Sequence, residues 1–217
     1  MGYVRSAVLL RDDIYGSVRS DILACRLAPG EEMREQELAL KYNVSRAPVR
    51  DALLRLEREH LVTVHARQGS RVNPISLTDA REIFQLRSVL EPACASAAAE
   101  FAAPDILRGL DAYRSFEAGG DFIEYNRAFH TAVAEASGNR RMARTTADLI
   151  DQSERLVRVS LASIKGRDPA QLVAEHNALI DAIQSRNARG AVRIVRDHVA
   201  KAQRRVLSAL AFSAVVS

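Results

Sequence analysis

Three histidines in the C-terminal part of the chain could bind a metal ion together. His130, His176 and His198 each lie on the apolar side of a predicted helix, and Asn126 precedes His130 by one helical turn. Imidazole nitrogens and an amide oxygen that converge inside a helical bundle can coordinate a divalent metal and leave positions open for water or a ligand. Core histidines that only make hydrogen bonds are the alternative, because no two of the three stand at a close ligand spacing.

Two arginines nearer the N-terminus could recognise DNA bases. Arg46 and Arg50 are four residues apart and therefore share one face of a predicted helix. Val49, Leu53 and Leu56 form a separate apolar stripe on which this helix can pack. A guanidinium fork matches O6 and N7 of guanine in the major groove. The alternative is an ordinary amphipathic helix whose arginines are solvated.

The segments around these arginines predict a helix-turn-helix. Ser45 suits the N-cap of the arginine helix, since its hydroxyl can accept a hydrogen bond from a backbone N–H of the first turn. Pro48 then falls at the third helical position, where a missing N–H costs little. Residues 35–42 predict a shorter helix, which Asn43 can end in a left-handed conformation. Two helices joined by so tight a turn are typical of DNA-binding proteins.

A basic hairpin is predicted after the arginine helix. Two short strands surround a turn that contains Gly69, and Arg67 and Arg71 lie in the same segment. Residues 60–78 contain no Asp or Glu. Such a wing contacts phosphates or the minor groove. Upstream, residues 13–27 have one apolar face and predict a helix that packs against this small domain.

The character of the chain changes near residue 74. Strand signals vanish beyond it and helical periodicity continues to the end, although Pro92 can kink the first of the new helices. The chain is therefore predicted to be mainly α-helical. Residues 1–74 would form a winged helix-turn-helix of three helices and a small β-hairpin. Residues 75–217 would form an all-helical bundle of about six helices.

Composition limits the classes of protein that fit. The 217 residues carry 31 Lys and Arg against 27 Asp and Glu, a mild net charge of +4. The DNA-binding prediction therefore depends on where the arginines stand. Aromatic residues are only 5% and tryptophan is absent, which argues against a single-strand binder that stacks bases. Cys25 and Cys94 are isolated, as expected of buried thiols. No signal-peptide pattern or apolar run of about 20 residues occurs, which predicts a cytoplasmic protein with no membrane partner.

The first third of the chain resembles the winged-helix DNA-binding domain of the GntR family of bacterial transcription regulators. The matching segments are residues 27–30, 37–39, 44–53 and 56–57. Asn43 and His60 stand where glycine is usual, and Gln36 stands where some members have an arginine that contacts DNA. The resemblance and the arginine pattern together predict contacts with double-stranded DNA from Gln36, Ser45, Arg46, Ala47, Pro48, Arg50, Arg67, Gly69 and Arg71.

Residues 76–205 resemble the FCD ligand-binding domain of the FadR-like branch of that family. The matching segments are residues 82–92, 126–130, 136–139 and 175–183, with His198 at a matching place on the last helix. In that family an Asp or Asn and three histidines hold a metal in many members, and an organic acid binds at or beside it. The resemblance implies a divalent transition metal of the Zn, Ni or Mn type, held by Asn126, His130, His176 and His198. An asparagine oxygen is a weaker donor than an aspartate oxygen.

Arg87 is the predicted ligand of the effector's carboxylate. It lies on the first bundle helix among apolar residues, and its fork could hold a carboxylate through two hydrogen bonds. The alternative is an ion pair with Glu91, four residues later, that only stabilises the helix.

Together these patterns predict a transcription regulator rather than an enzyme. Two chains would associate through their helical domains and present two winged helices to a palindromic operator, whose affinity a small carboxylate would change. One alternative is a metal-dependent hydrolase or dioxygenase with an accessory winged helix. It is disfavoured because Glu175 adjoins His176 and is expected to point elsewhere. The other is a metal-free architectural DNA binder whose bundle only dimerises.

Overall fold

The computed structural model describes the backbone of residues 2–65, 68–163 and 169–215. It divides into two compact units, Met1–Ile75 and Ser76–Ser217, whereas the sequence predicts the boundary one residue earlier. Within the described ranges, no helix combines the length and the apolar character that crossing a membrane requires.

The N-terminal unit contains three helices and a three-stranded antiparallel sheet. Its elements are α1 (Gly2–Leu23), β1 (Glu32–Met33), α2 (Glu35–Lys41), α3 (Arg46–Arg58), β2 (Val62–His65) and β3 (Gly69–Val72). The strand order is β1-β3-β2, with Val62 opposite Val72 and Met33 opposite Ser70. The predicted winged helix is confirmed, but β1 is an additional strand that the sequence did not predict. Two residues are too few to show an alternating pattern.

One apolar core holds the N-terminal unit together. The predicted stripe of α3 is confirmed, because Val49, Leu53 and Leu56 are all buried. They pack with Val18 and Ile22 of α1 in one cluster. Burying each such side chain contributes about 1.5–3 kcal/mol. This packing fixes α3 so that its arginine-bearing face stays outside the core.

The turns of this unit depend on unusual backbone conformations. Asn43 and His60 have φ of 52° and 58°, in agreement with their predicted role at positions where glycine is usual. Ser45 takes the N-cap position of α3 in an extended conformation, but its side chain makes no capping hydrogen bond, so that part of the prediction is wrong. Gly69 begins β3 rather than lying in the turn.

The C-terminal unit is all-helical within the residues described. Its elements are α4 (Leu77–Phe101), α5 (Pro104–Gly109), a 3₁₀ helix (Leu110–Tyr113), α6 (Phe122–Ala136), α7 (Arg140–Ser163), α8 (Pro169–Gln184) and α9 (Ala188–Val215). The predicted bundle of about six helices is confirmed. Helix α5 ends at Gly109, and α4 is one continuous helix that includes Pro92.

The long helix α4 is central to the bundle. It packs against α6, α7 and α9, and its start is fixed by Ser76, whose Oγ accepts a hydrogen bond from the Asp79 backbone N–H at 2.9 Å. Phe84 of α4, Phe129 of α6 and Ile180 of α8 are almost fully buried. The inward faces of these helices therefore meet in one interior. Cys25 and Cys94 are free thiols, as predicted, but only Cys94 is buried.

Candidate DNA interface and metal centre

An open groove of about 830 Å³ lies between the start of α3 and the β2–β3 wing of the N-terminal unit. Its lining is rich in basic and amide side chains. The lining residues are Arg34, Glu35, Gln36, Arg46, Arg50, Leu54, Val64, His65, Gln68, Gly69 and Ser70. A helix end beside a wing, with arginine side chains between them, is an arrangement that suits contacts with a DNA duplex.

Both predicted base-reading arginines lie in this groove and bind one carboxylate. Arg50 donates from Nε and Nη2 to Glu35 Oε1 and Oε2, each at 2.8 Å. Arg46 donates from Nη2 to Glu35 Oε2 at 3.0 Å. Their side chains are nevertheless 57% and 62% exposed. The hydrogen bonds from Arg50, followed by the one from Arg46, lower the pKa of Glu35 to about 2, so the carboxylate is ionised.

The other predicted DNA contacts differ in whether a duplex could reach them. Gln36 and Gly69 also line the groove, while Ser45 and Ala47 are exposed at the N-terminal end of α3. Pro48, in contrast, is buried, so its ring is not available to a duplex. Arg71 is exposed but donates from Nε to the Gly30 carbonyl at 3.0 Å, and it does not line the groove. Arg67 lies outside the described residues.

Several groove residues were not predicted. Arg34, His65 and Gln68 line it, yet none of them belongs to a periodic pattern or motif. A short loop and a two-residue strand bring Arg34 there. Only the fold could reveal that.

The three predicted metal-binding histidines meet in the interior of the helical unit. His130, His176 and His198 come from α6, α8 and α9 and are each at least 94% buried. Their ring centroids are 5.1–5.4 Å apart. One potential ligand atom from each lies within 4.8 Å of the other two. These separations suit three ligands around a single ion.

Two of the histidines are bonded to buried or half-buried carboxylates. His130 Nδ1 lies 2.8 Å from Glu91 Oε2, and His198 Nδ1 lies 2.7 Å from Glu175 Oε2. Burial alone would raise the pKa of Glu91, but the charge of Arg87 and the hydrogen bonds from His130 and Arg87 outweigh it and hold that pKa well below its usual range. The hydrogen bond from His198 is the main reason that the pKa of Glu175 falls to about 2. An ionised carboxylate can only accept, so each Nδ1 carries the proton.

The third histidine is oriented by a hydroxyl group. Tyr125 donates its O–H to the Tyr113 carbonyl at 2.7 Å, and His176 Nδ1 lies 3.2 Å from the same hydroxyl oxygen. Because the single hydroxyl proton is already used, Nδ1 of His176 must be the donor. Phe129 stacks on the His176 ring at 4.0 Å between centroids and fixes its plane.

In a neutral imidazole ring, a proton on Nδ1 leaves Nε2 as a lone-pair acceptor. Nε2 of His130 and Nε2 of His176 are buried and have no hydrogen-bond partner. Burial lowers the pKa of both residues and keeps these rings neutral. Buried acceptors without donors are costly. A metal cation placed between the Nε2 atoms would remove that cost, and outer partners on Nδ1 are typical of metal-ligating histidines.

Arg87 is buried and already makes two polar contacts. It donates from Nε to Glu91 Oε1 at 2.5 Å and from Nη1 to Ser153 Oγ at 3.0 Å. The ion pair considered as the alternative from the sequence is thus present. Arg87 also lines a cavity of about 30 Å³ beside the histidines, with Asn126 and Arg205 among the other lining residues. A cavity of this size holds about two waters.

The outer partners of the histidines were missed at the sequence level. Glu91 was considered only for Arg87, and Glu175 was expected to point away from the site because it adjoins His176. That expectation is wrong, since the Glu175 carboxylate reaches His198 on the next helix. No spacing in the sequence signals a contact between residues 23 positions apart on two helices. The unexpected Arg205 of the cavity follows His198 by seven residues, two helical turns.

Comparisons with known proteins agree with this architecture. Residues 10–72 match the family described as bacterial regulatory proteins, gntR family, and residues 82–201 match the FCD domain. The HTH-type transcriptional repressor RspR of Escherichia coli (strain K12) is 27% identical over 197 residues, covering 88% of this chain and 86% of the relative. A protein of Streptomyces ambofaciens, described as an uncharacterized HTH-type transcriptional regulator in unstable DNA locus, is 31% identical over 201 residues, covering 87% and 81%.

A solved structure shares the fold. Escherichia coli McbR/YncC has a TM-score of 0.77 with 22% identity, over 92% of this chain and 97% of that chain. The match of the FCD domain to more than half of the chain and the identity to the Streptomyces protein determine the family. This chain belongs to the GntR family of bacterial regulators and is a DNA-binding transcription regulator whose winged helix is followed by an FCD domain.

Proposed function

We propose that this regulator binds a palindromic operator as a homodimer, and that a small carboxylate bound near a divalent metal in the helical unit changes its operator affinity. The observation that carries the proposal is the buried cluster of His130, His176 and His198, in which Nε2 of His130 and Nε2 of His176 have no hydrogen-bond partner. A coupling of about 1–3 kcal/mol between effector and DNA would change operator occupancy 5–150-fold. The name of the Escherichia coli relative, a repressor, favours repression as the direction of control.

The histidine cluster fits a transition metal. Nε2 of His130, His176 and His198 would be the ligands, with the Asn126 oxygen as a fourth, which suits Zn, Ni or Mn. A bound metal would supply positive charge that attracts an anionic effector. Glu91 and Glu175 accept hydrogen bonds at Nδ1 and thus lie on the outer side of the rings. They orient the ligands and are not placed to act as a base at the metal, which supports a sensor rather than an enzyme.

We propose that the effector's carboxylate binds at the small cavity beside the histidines. Arg87, Asn126 and Arg205 all line it. Arg87 would have to share its fork with Glu91 and Ser153. Arg205, a half-buried residue that lines the same cavity, is the second ligand that we propose. Because the cavity is only about 30 Å³, an organic acid must displace surrounding side chains as it binds. This movement of side chains would link effector binding to the packing of the helical unit.

Elemental analysis of untagged protein tests the metal. We expect about one ion per chain after growth with Zn, Ni or Mn, and loss of that ion in His198→Ala. His65→Ala is the matched control, because His65 is exposed in the other unit. Asn126→Asp should bind the metal more tightly if that side chain is a ligand. If the protein contains less than one ion per chain whichever metal is supplied during growth, the interpretation that the three histidines are only core residues is favoured.

Selection of duplexes from a random pool tests the DNA reader. The protein should enrich a palindromic sequence, and Arg50→Ala should weaken binding to it by about 1–3 kcal/mol.

Acetate, lactate and citrate, added as probes of increasing size, should raise the melting temperature of the wild type and should raise that of Arg205→Gln less. If the protein enriches no sequence, the proposal of a specific operator is contradicted. If none of the three acids raises the melting temperature of the wild type, the proposal of a carboxylate site is contradicted. The cytoplasmic location expected from the sequence stays a prediction.

A further inference from the structure

The groove of the N-terminal unit contains an anion where DNA, itself an anion, is expected to bind. Glu35 lines this groove and accepts three hydrogen bonds, two from Arg50 and one from Arg46. It is the residue directly before Gln36 at the start of α2, and nothing in the sequence analysis gave it a role. A carboxylate here lowers the positive charge that attracts phosphates. It therefore works against general DNA affinity.

We propose that Glu35 is a positioning residue that determines sequence specificity, because it holds Arg46 and Arg50 ready for bases while it weakens binding to DNA of any sequence. The proposal rests on the proposed DNA-reading role of this groove. Glu35 would act through the two arginines and need not touch DNA itself.

The hydrogen-bond geometry allows Arg50 to serve two partners at once. A guanidinium has five N–H donors, and Glu35 occupies one on Nε and one on Nη2 of Arg50. The bonds to Glu35 lie along the Nε–Nη2 edge, so the Nη1–Nη2 end of the fork can still donate to O6 and N7 of guanine. An arginine anchored along one edge loses less side-chain freedom when its other end binds a base.

Arg46 and the groove electrostatics support the same conclusion. One Nη2–H of Arg46 bonds to the same Oε2, so a single carboxylate orients both forks one helical turn apart. Their exposed fractions of 62% and 57% show that the groups remain accessible despite these bonds. With Glu35 ionised, the three side chains carry a net charge of +1 instead of +2. The attraction to phosphates is thereby reduced for DNA of every sequence. A guanidinium that meets the acceptors of guanine still makes its hydrogen bonds to the base.

The test compares Glu35→Gln with Glu37→Gln. Glu37 is exposed on the same helix and does not line the groove, so its substitution makes the same change in net charge without touching the arginines. Full-length proteins are titrated by fluorescence anisotropy against the duplex that the wild type selects from a random pool and against a scrambled duplex, at several salt concentrations. The ratio of the two dissociation constants measures specificity.

We expect Glu35→Gln to bind the scrambled duplex several-fold more tightly and the selected duplex no more tightly, so that the specificity ratio falls at least fivefold. Glu37→Gln should change the affinities for both duplexes by the same factor and leave the specificity ratio unchanged. In selection from the same pool, Glu35→Gln should lose preference for guanine. Circular dichroism checks the fold, and Glu35→Ala replaces Glu35→Gln in the same measurements if the latter does not fold.

An unchanged ratio in the Glu35 variant, or an equal fall in Glu37→Gln, would overturn the inference. If the wild type itself selects no sequence, the proposed function fails instead. The two failures are therefore distinguishable.

Discussion

Each histidine of the cluster donates its Nδ1 proton to a different acceptor, and this determines which nitrogen remains for a metal. The three acceptors are the carboxylates of Glu91 and Glu175 and the hydroxyl oxygen of Tyr125. A carboxylate on Nδ1 makes Nε2 a stronger donor to a cation and fixes the plane of the ring. The affinity of such a site thus depends on residues that do not touch the metal.

The Glu175→Gln variant tests this dependence at the residue scale. An amide oxygen can still accept a hydrogen bond from His198 Nδ1, but it lacks the charge that raises the basicity of Nε2. We expect the metal affinity to fall about 10–100-fold, as measured by competition with a chromophoric chelator. Glu135→Gln, an exposed residue of α6, is the control. Equal affinity of wild type and Glu175→Gln would mean that the carboxylate does not tune the site.

The wing is set by backbone constraints between neighbouring elements. Gly69 begins β3 with φ of +106°, and a Cβ built on it would lie 2.8 Å from the Met33 carbonyl oxygen of β1. The close approach of two strands and the positive φ therefore require glycine at this position. Since Gly69 also lines the groove, the shape of the wing and the stability of the sheet are linked.

We expect Gly69→Ala to destabilise the N-terminal unit by about 1–3 kcal/mol and to weaken DNA binding, because the strain must be relieved by moving β3 away from β1. Thermal unfolding and anisotropy titration measure the two effects. Gly16→Ala is the control within α1, where an added Cβ meets nothing within 4 Å. That control should stabilise the unit by about 0.5–1 kcal/mol. A Gly69→Ala protein as stable as the wild type would show that the strands can separate freely.

Elements were predictable from the sequence where their residues repeat with a clear period. The apolar stripe of α3 and the left-handed Asn43 were predicted because local chemistry determines them, whereas His60 was noted only because it stands where the family usually has glycine. The strand β1 was not predicted, since tertiary contacts decide whether so short a segment pairs. The same division holds at the sites. The three histidines could be predicted as a set, whereas the contact of Glu175 with His198 depends on how two helices pack.

Asp21 links the end of α1 to α2 and makes this junction sensitive to acid. Lys41 Nζ and Tyr42 Oη each donate to Asp21 Oδ2 at 2.7 Å. Burial would raise the pKa of Asp21, but these hydrogen bonds outweigh it and lower the pKa from 3.8 to about 2. A carboxyl group whose pKa is lower in the folded state stabilises the fold above the unfolded pKa. That contribution is lost as the pH falls from about 4 through about 2.

The expected consequence is a pH-dependent loss of stability that Asp21→Asn removes in part. Asparagine does not titrate, so the free energy of unfolding of the Asp21→Asn variant should fall less than that of the wild type between pH 5 and pH 2.5. We expect the difference between the two changes to be about 1 kcal/mol after allowance for solvent screening. Chemical denaturation at several pH values measures this difference. Asp105→Asn, at the start of α5, is the control. Identical pH profiles for wild type and Asp21→Asn would contradict the assigned role of the junction.

At the scale of the whole molecule, the proposed recognition of a palindromic operator requires two copies of the chain related by symmetry. The helical unit offers a surface that suits a second copy. Leu86 and Val89 of α4 are 52% and 66% exposed, and Ala93 continues their stripe at helical spacing. An apolar stripe in contact with water along a central helix indicates a partner. Two copies of α4 related by a two-fold axis would cover it with the same stripe.

The double variant Leu86→Glu and Val89→Glu tests this pairing. Placing charges on both copies of a two-fold interface sets like charges against each other, so we expect a monomer in sedimentation-velocity measurements where the wild type is a dimer. Palindrome affinity should fall at least tenfold, while metal content stays unchanged, because the histidines lie in the interior. Ile106→Glu adds a charge at a similarly exposed apolar residue of α5 and should stay dimeric. A dimeric double variant would place the interface elsewhere, and a monomeric wild type that still binds palindromes would exclude the homodimer itself.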